Sequence, residues 1–150
     1  MKTDLVVTGF IFDDDKLLLI LHKKLQKWLP VGGHIDSDET PDKTVIREIK
    51  EETNLDIEFL EKPDVKETED MIKVLPLPFF SNTHNVGSHD HCSLDYLVKA
   101  KNPDDIQIKK DEIIDYKWFT KEDLSNNDEI TPNVKEIALY AFKRYKEIRN

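Results

Sequence analysis

One cysteine, Cys92, stands in 150 residues, so no internal disulfide is available, and a reducing cytoplasmic setting fits this composition. No stretch approaches the roughly 20 apolar residues that a membrane helix needs, and the opening Met-Lys-Thr-Asp-Leu-Val-Val is too short an apolar run for a signal peptide. Internal repeats and low-complexity segments are absent. Basic charge is also in short supply. With 22 Lys and Arg against 31 Asp and Glu, the formal net charge is −9. That argues against binding a nucleic-acid polymer, which depends on neutralising phosphates. It does not exclude a small nucleotide, because bound cations invert the local field. Glycine occurs four times, and two of the four are adjacent, Gly32 and Gly33.

A length of 150 residues suits one domain with a real core, residues 1–150. Leu5 to Phe12 and Lys16 to His22 read as two strands around an Asp13-Asp14-Asp15 turn. Trp28 to Gly33 reads as a short strand entering a glycine loop. A helix is expected from about Pro41 to Thr53, with Thr40 as N-cap, Pro41 at the first helical position and Asn54 as the left-handed stop. Asp56 to Glu61 reads as a strand, and Pro63 to Asp70 as a charged loop. Met71 to Phe80 is apolar but interrupted by Pro76 and Pro78, which predicts an edge strand or two short ones. Ser81 to Asp90 is polar and reads as a loop, Cys92 to Lys99 as a strand, and Asn102 to Lys110 as a connection. Ile114 to Phe119 is a last strand. Lys121 to Leu124 is a short helical turn. Thr131-Pro132 opens a helix to about Ile148, whose apolar positions Val134, Ile137, Ala138, Ala141, Phe142 and Tyr145 share one face. Strands interleaved with a few helices predict an α/β domain with a mixed sheet covered by helices.

The densest chemical signal runs from Gly33 to Leu55. The helix places Glu48, Glu51 and Glu52 on one face, since positions i, i+3 and i+4 are neighbours. Glu51 and Glu52 then sit in the last turn, where the macrodipole disfavours negative charge by about 0.3–1 kcal/mol each. Glu48 and Glu52 add a like-charged i,i+4 pair, and Arg47 offsets only part of this. Such a breach of local rules marks a functional site more often than not. Clustered carboxylates are hard oxygen ligands suited to Mg²⁺ or Mn²⁺. A solvated acidic helix face is the alternative that the charge pattern alone leaves open.

The full spacing is Gly33, five residues, Glu39, seven residues, then Arg47-Glu48-Ile49-x-Glu51-Glu52 and Leu55. It resembles the signature of the Nudix hydrolases. One position departs: the family usually has Gly where this chain has Asn54, and Asn also tolerates positive φ.

The resemblance implies an α/β/α sandwich with a mixed sheet, and a metal-dependent hydrolase that cleaves a nucleoside diphosphate linked to another group. The foremost expectation is a (deoxy)nucleoside triphosphate split to monophosphate and pyrophosphate. Hydrolysis of ADP-ribose, dinucleoside polyphosphates or nucleotide sugars, and a catalytically silent nucleotide sensor, are the alternatives. Asp70, Met71 and Ile72 stand where ADP-ribose and diadenosine-polyphosphate subfamilies carry Pro or Tyr, which weighs against those two.

By the same resemblance, Glu48, Glu51, Glu52 and the Gly32 carbonyl would hold Mg²⁺, with Mn²⁺ as a substitute. Arg47 would orient the glutamates, Glu39 would be structural or a water-mediated metal contact, and Glu48 or Glu52 would act as general base. Glu112, just ahead of the Trp118-Phe119 strand, is a second candidate base. Gly33, Lys23, Trp28, His91 and Asn133 are substrate-binding candidates. The last four also have ordinary structural readings: a strand end for Lys23, core packing for Trp28, a solvated histidine loop for His91 with His84 and His89, and a first helical turn for Asn133. The protein is expected as a monomer or homodimer.

Overall fold

The computed structural model describes residues 2–71 and 73–149. Strand β1 (Thr3–Asp13) runs up the middle of a mixed sheet. It pairs in parallel with β7 (Asp90–Ala100) from Thr3↔Asp90 to Phe12↔Lys99. On its other edge, the C-terminal end of β1 meets β2 (Lys16–His22), and its N-terminal half meets β4 (Val31–His34), both antiparallel. Strand β3 (Lys27–Leu29) lies on β2, and Pro30 separates it from β4. Pro30 has no N–H to give to a ladder, so the chain changes neighbours from β2 to β1 at that residue.

Three further strands complete the sheet. They are β5 (Ile57–Phe59) and β6 (Phe80–Asn85), both antiparallel to β7, and β8 (Ile113–Phe119), antiparallel to β2.

Alternation sorts the strand side chains into two cores, as the two-residue strand period requires. Val7, Ile11, Leu18, Ile20, Tyr96 and Val98 face helix α1 (Pro41–Thr53), meeting its Val45 and Ile49. Phe10, Phe12, Leu17, Leu19 and Leu97 face the other way. There they meet α2 (Lys121–Asn126) and α3 (Pro132–Arg149) through Leu124, Val134, Ala138, Ala141, Phe142 and Tyr145. The result is the α/β/α sandwich with a mixed sheet. Helix α1 approaches the sheet closely at Gly9, where a Cβ would lie 2.7 Å from Ile49 Cδ1.

Two expectations are corrected. Among the described residues of 71–79 none is in a strand, and Ile72 lies outside the described residues. The two prolines explain the rest. Leu77 N–H donates to the Glu61 carbonyl and Phe79 N–H to the Asp95 carbonyl, while Pro76 and Pro78 point their missing donors away from any ladder. The chain is extended and tethered but not a ladder member. Conversely, the polar segment read as a loop contains β6, with His84↔His91 and Asn85↔Asp90 in register. Strand β7 offers an open edge there, and pairing with it overrides the low strand propensity of Ser-Asn-Thr-His-Asn.

The signature helix has the expected bounds. Asn54 sits at φ 65° and returns its N–H to the Lys50 carbonyl. Thr40 is extended, but its hydroxyl donates to Asp42 Oδ1 at 2.5 Å instead of capping the helix backbone.

Candidate active site

The buried stripe of α1 is Val45, Ile49 and Glu52, positions i, i+4 and i+7. The helix therefore carries one carboxylate to the rim of its own core. Glu52 is only 8% exposed, and its Oε2 has no hydrogen-bond partner. Burial, then the charges of Glu48 and Glu112, push its carboxyl up to about 8. Glu48 is raised as well, first by burial. Its carboxylate lies flat against Gly33, so close that a Cβ there would collide with Oε1 and Cδ. A side chain at position 33 would displace this carboxylate.

Arg47 is the hub that holds the acidic groups in place. Its Nε and Nη2 fork onto Glu39 at 2.7 and 2.9 Å, while Nη1 donates to Glu48 at 3.0 Å and Glu51 at 3.4 Å. Nη2 also reaches the His34 carbonyl at 3.4 Å and pairs with Asp36 at 3.4 Å. Glu39 accepts further hydrogen bonds from the Thr44 hydroxyl and the Asp36 N–H. The Arg47 fork holds the Glu39 carboxyl down at about 2. Glu39 thus accepts both arms of the Arg47 fork and buttresses it.

Glu112 arrives from the loop before β8. Its carbonyl accepts the Lys23 N–H at 2.8 Å, and its carboxylate accepts from Lys109 Nζ at 3.2 Å. Its charge acts on both Glu48 and Glu52. The structure therefore brings together Gly33, Glu39, Arg47, Glu48, Glu51, Glu52 and Glu112. Lys23 borders this group through its backbone. Gly32 sits beside Thr8 in the β1–β4 ladder.

The other candidates lie elsewhere. Trp28 packs edge-on against Phe119, with ring centroids 5.5 Å apart, in the α3-side core. His91 stands among His34, His84 and His89. Asn133, at the start of α3, lines a second cavity on the α3 face of the sheet with Thr8, Asn82, Ser93 and Asp95. Asp95, 2% exposed, accepts from Ser93 Oγ at 2.6 Å and Asn82 Nδ2 at 3.1 Å. Burial raises it to about 6.

Sequence reasoning missed Asp95, Ser93, Asn82 and Thr8. The available signal was Ser93 and Asp95 two apart in an otherwise apolar strand, a polar pair on one buried face.

The donor set fits a hard divalent cation. Glu52 Oε2 is a buried carboxylate oxygen lacking a partner, Glu48 is desolvated, and Gly33 leaves a cradle beside it.

Comparison with known proteins agrees with this geometry. A family model described as the NUDIX domain matches residues 2–140. A crystal structure of a NUDIX-family hydrolase from Clostridium perfringens superposes with a TM-score of 0.84 at 33% identity, covering 97% of this chain and 99% of that one. A Caenorhabditis elegans Ap4A hydrolase shares the fold at a TM-score of 0.68 and 20% identity, covering 98% of each chain. A curated relative, a probable DHNTP pyrophosphohydrolase of Lactococcus lactis subsp. cremoris, is 31% identical over 97 residues. That match takes in 65% of this chain and 54% of the relative, so the alignment spans about half of the relative's length. With the signature residues converging on one carboxylate cluster and the domain model running through nearly the whole chain, this protein belongs to the Nudix hydrolase family.

Proposed function

We propose that this chain is a metal-dependent pyrophosphohydrolase that cleaves a (deoxy)nucleoside triphosphate to the monophosphate and pyrophosphate. The observation that supports it most is Glu52: a carboxylate driven into the core, one oxygen unpaired, with the like charges of Glu48 and Glu112 each outweighing the relief from Lys109. Such a group costs stability unless it has a job. Mg²⁺ or Mn²⁺ held by Glu48, Glu51, Glu52 and the Gly32 carbonyl would supply neutralisation of the phosphoryl oxygens.

The remaining work belongs to the side chains. Arg47 keeps the glutamates aimed. Water attacks one phosphorus of the α–β bridge, the bond from that phosphorus to the bridging oxygen breaks, and its electron pair leaves with the departing phosphate group. The water proton passes to a carboxylate oxygen of Glu112, a loop acid whose charge acts on both Glu48 and Glu52 and which the cation does not need. The cavity at Asp95 and Asn133 receives the base.

That cavity suggests what the base is. A carboxylate at its floor, with an acceptor position left after Ser93, Asn82 and Thr8 have bonded, suits an edge bearing an N–H donor, as in guanine. Burial holds the Asp95 carboxyl up at about 6, so it accepts such an N–H above that pH and loses an acceptor below it. KM for a guanine nucleotide is therefore expected to rise about tenfold as pH falls from 7.5 to 5, since a hydrogen bond to a charged group is worth about 1.5–3 kcal/mol. Asp95→Asn should show the high KM at both pH values. A KM in the variant that still changes with pH as in the parent would remove Asp95 from the recognition.

A second reading, hydrolysis of DHNTP, is favoured by the Lactococcus lactis relative. The deciding experiment is a hydrolysis screen with Mg²⁺ over canonical and oxidised nucleoside triphosphates, DHNTP, ADP-ribose and dinucleoside polyphosphates, with product analysis. Release of pyrophosphate, stopped by EDTA and restored by Mg²⁺ or Mn²⁺, is the expected result. Tight nucleotide binding with no turnover of any compound would make the chain a silent sensor instead.

A further inference from the structure

A separate group of ligating side chains occupies the far end of the sheet. Asp4 on β1, His34 at the end of β4, His89 in the β6–β7 turn and His91 on β7 each offer one atom, and these four atoms all lie within 4.8 Å of one another. None of the four belongs to the glutamate cluster. Their convergence follows from register. The parallel ladder sets Asp4 opposite His91. His89 precedes His91 by two residues, which keeps both on one side of the chain. The antiparallel ladder sets His34 opposite Val6, two residues from Asp4 on the same face. A loop reading of residues 81–90 conceals this, because only the β6–β7 hairpin holds His89 over the sheet.

The geometry points to a structural transition-metal site with three imidazole nitrogens and one carboxylate oxygen, for which Zn²⁺ is the natural ion. A tetrahedral Zn²⁺ with bonds of about 2.0–2.1 Å separates its ligand atoms by roughly 3.4 Å. Asp4 Oδ2 lies 3.5 Å from His34 Nε2 and 3.1 Å from His89 Nε2. His89 Nε2 is buried and makes no aligned hydrogen bond, although Asp4 is within ion-pair range. Its other nitrogen, Nδ1, lies 2.9 Å from Ser88 Oγ. A proton on Nδ1 given to that hydroxyl leaves Nε2 as a lone pair facing the cluster, the usual arrangement of a metal-ligating histidine.

Nitrogen-rich donors select Zn²⁺, Co²⁺ or Ni²⁺ over Mg²⁺, which favours all-oxygen shells. Four protein ligands fill the tetrahedron and leave no open position, so the site staples strands and does not activate water. It ties the β6–β7 hairpin to β1 and β4. It also sits one residue from Gly33, and the His34 carbonyl is already bonded to Arg47.

The test keeps the two cation sites apart. The full chain is held in millimolar Mg²⁺, which occupies the glutamates, and Zn²⁺ or Co²⁺ is titrated in with calorimetry and visible absorption as readouts. One ion per chain is expected, Co²⁺ should give the intense visible bands of a four-coordinate centre, and Zn²⁺ should raise the melting temperature. His89→Gln and His91→Gln should each weaken Zn²⁺ binding at least 100-fold and abolish the Co²⁺ bands, with circular dichroism showing both variants folded. Glu48→Gln with Glu52→Gln should leave Zn²⁺ binding unchanged. Binding lost in the glutamate double variant and kept in the histidine variants would overturn the site, as would absence of saturable Zn²⁺ binding in the parent.

Discussion

Replacing Glu52 by glutamine is expected to lower kcat by about 100- to 10,000-fold, the range associated with losing a positioned acid–base or charge-bearing group, while making the metal-free protein more stable at alkaline pH. The two effects have one cause. Glu52 is buried, the charge of Lys109 offsets only part of what burial, Glu48 and Glu112 impose, and its carboxyl stands at about 8 against an ordinary 4.5. A group whose folded pKa is raised gives stability that is fully present below its unfolded pKa. That stability is lost as pH rises through the folded pKa. The parent, freed of cations, should therefore weaken between pH 4.5 and 8, and the variant, neutral throughout, should lack that part of the decline. Urea unfolding in EDTA at pH 5 and pH 9 measures the stability arm, and steady-state hydrolysis in Mg²⁺ measures the activity arm. Turnover within about twofold of the parent would show that the buried carboxylate is not part of the catalytic seat.

Arg47→Lys should be nearly as damaging to catalysis although the charge is kept. Lysine cannot reproduce the fork that meets Glu39 at 2.7 and 2.9 Å while a third nitrogen serves Glu48 and Glu51. Without it, Glu48 and Glu51 drift by an ångström or so, a displacement able to cost about 100-fold in rate. The melting temperature should fall too, because Asp36, Glu39, Glu48 and Glu51 then share one flexible ammonium. Raising Mg²⁺ should recover part of the stability and little of kcat. A Lys variant with parental kcat would reduce the fork to generic charge neutralisation.

The signature helix was legible because its determinants are local. Pro41 at the start and Asn54 at the left-handed end lie within one short segment, and the helix spans Pro41–Thr53 as expected. Asp36 and Thr44 as supports of Arg47 and Glu39 were not legible, because a hydrogen bond across a loop leaves no periodicity. Strand β6 escaped for another reason. Phe80–Asn85 has little apolar content, and it becomes a strand only because β7, far along the chain, presents an edge. The cavity around Asp95 and the Asp4–His91 cluster both depend on the β1–β7 register, in which residues nearly ninety apart stand side by side. Separation in sequence hid them, while Ser93 and Asp95 inside an apolar strand were a hint in plain view.

That same ladder governs how the molecule comes into being. Closing a loop from Thr3 to Asp90 is entropically expensive and slow compared with forming a hairpin or a helix turn. During synthesis, Val6 to Phe12 must wait with one edge bare until Ala100 has emerged, although β2, β4 and α1 are already made. A nascent chain cut short before that point would hold every signature glutamate and still lack the central scaffold, leaving it to chaperones or to aggregation.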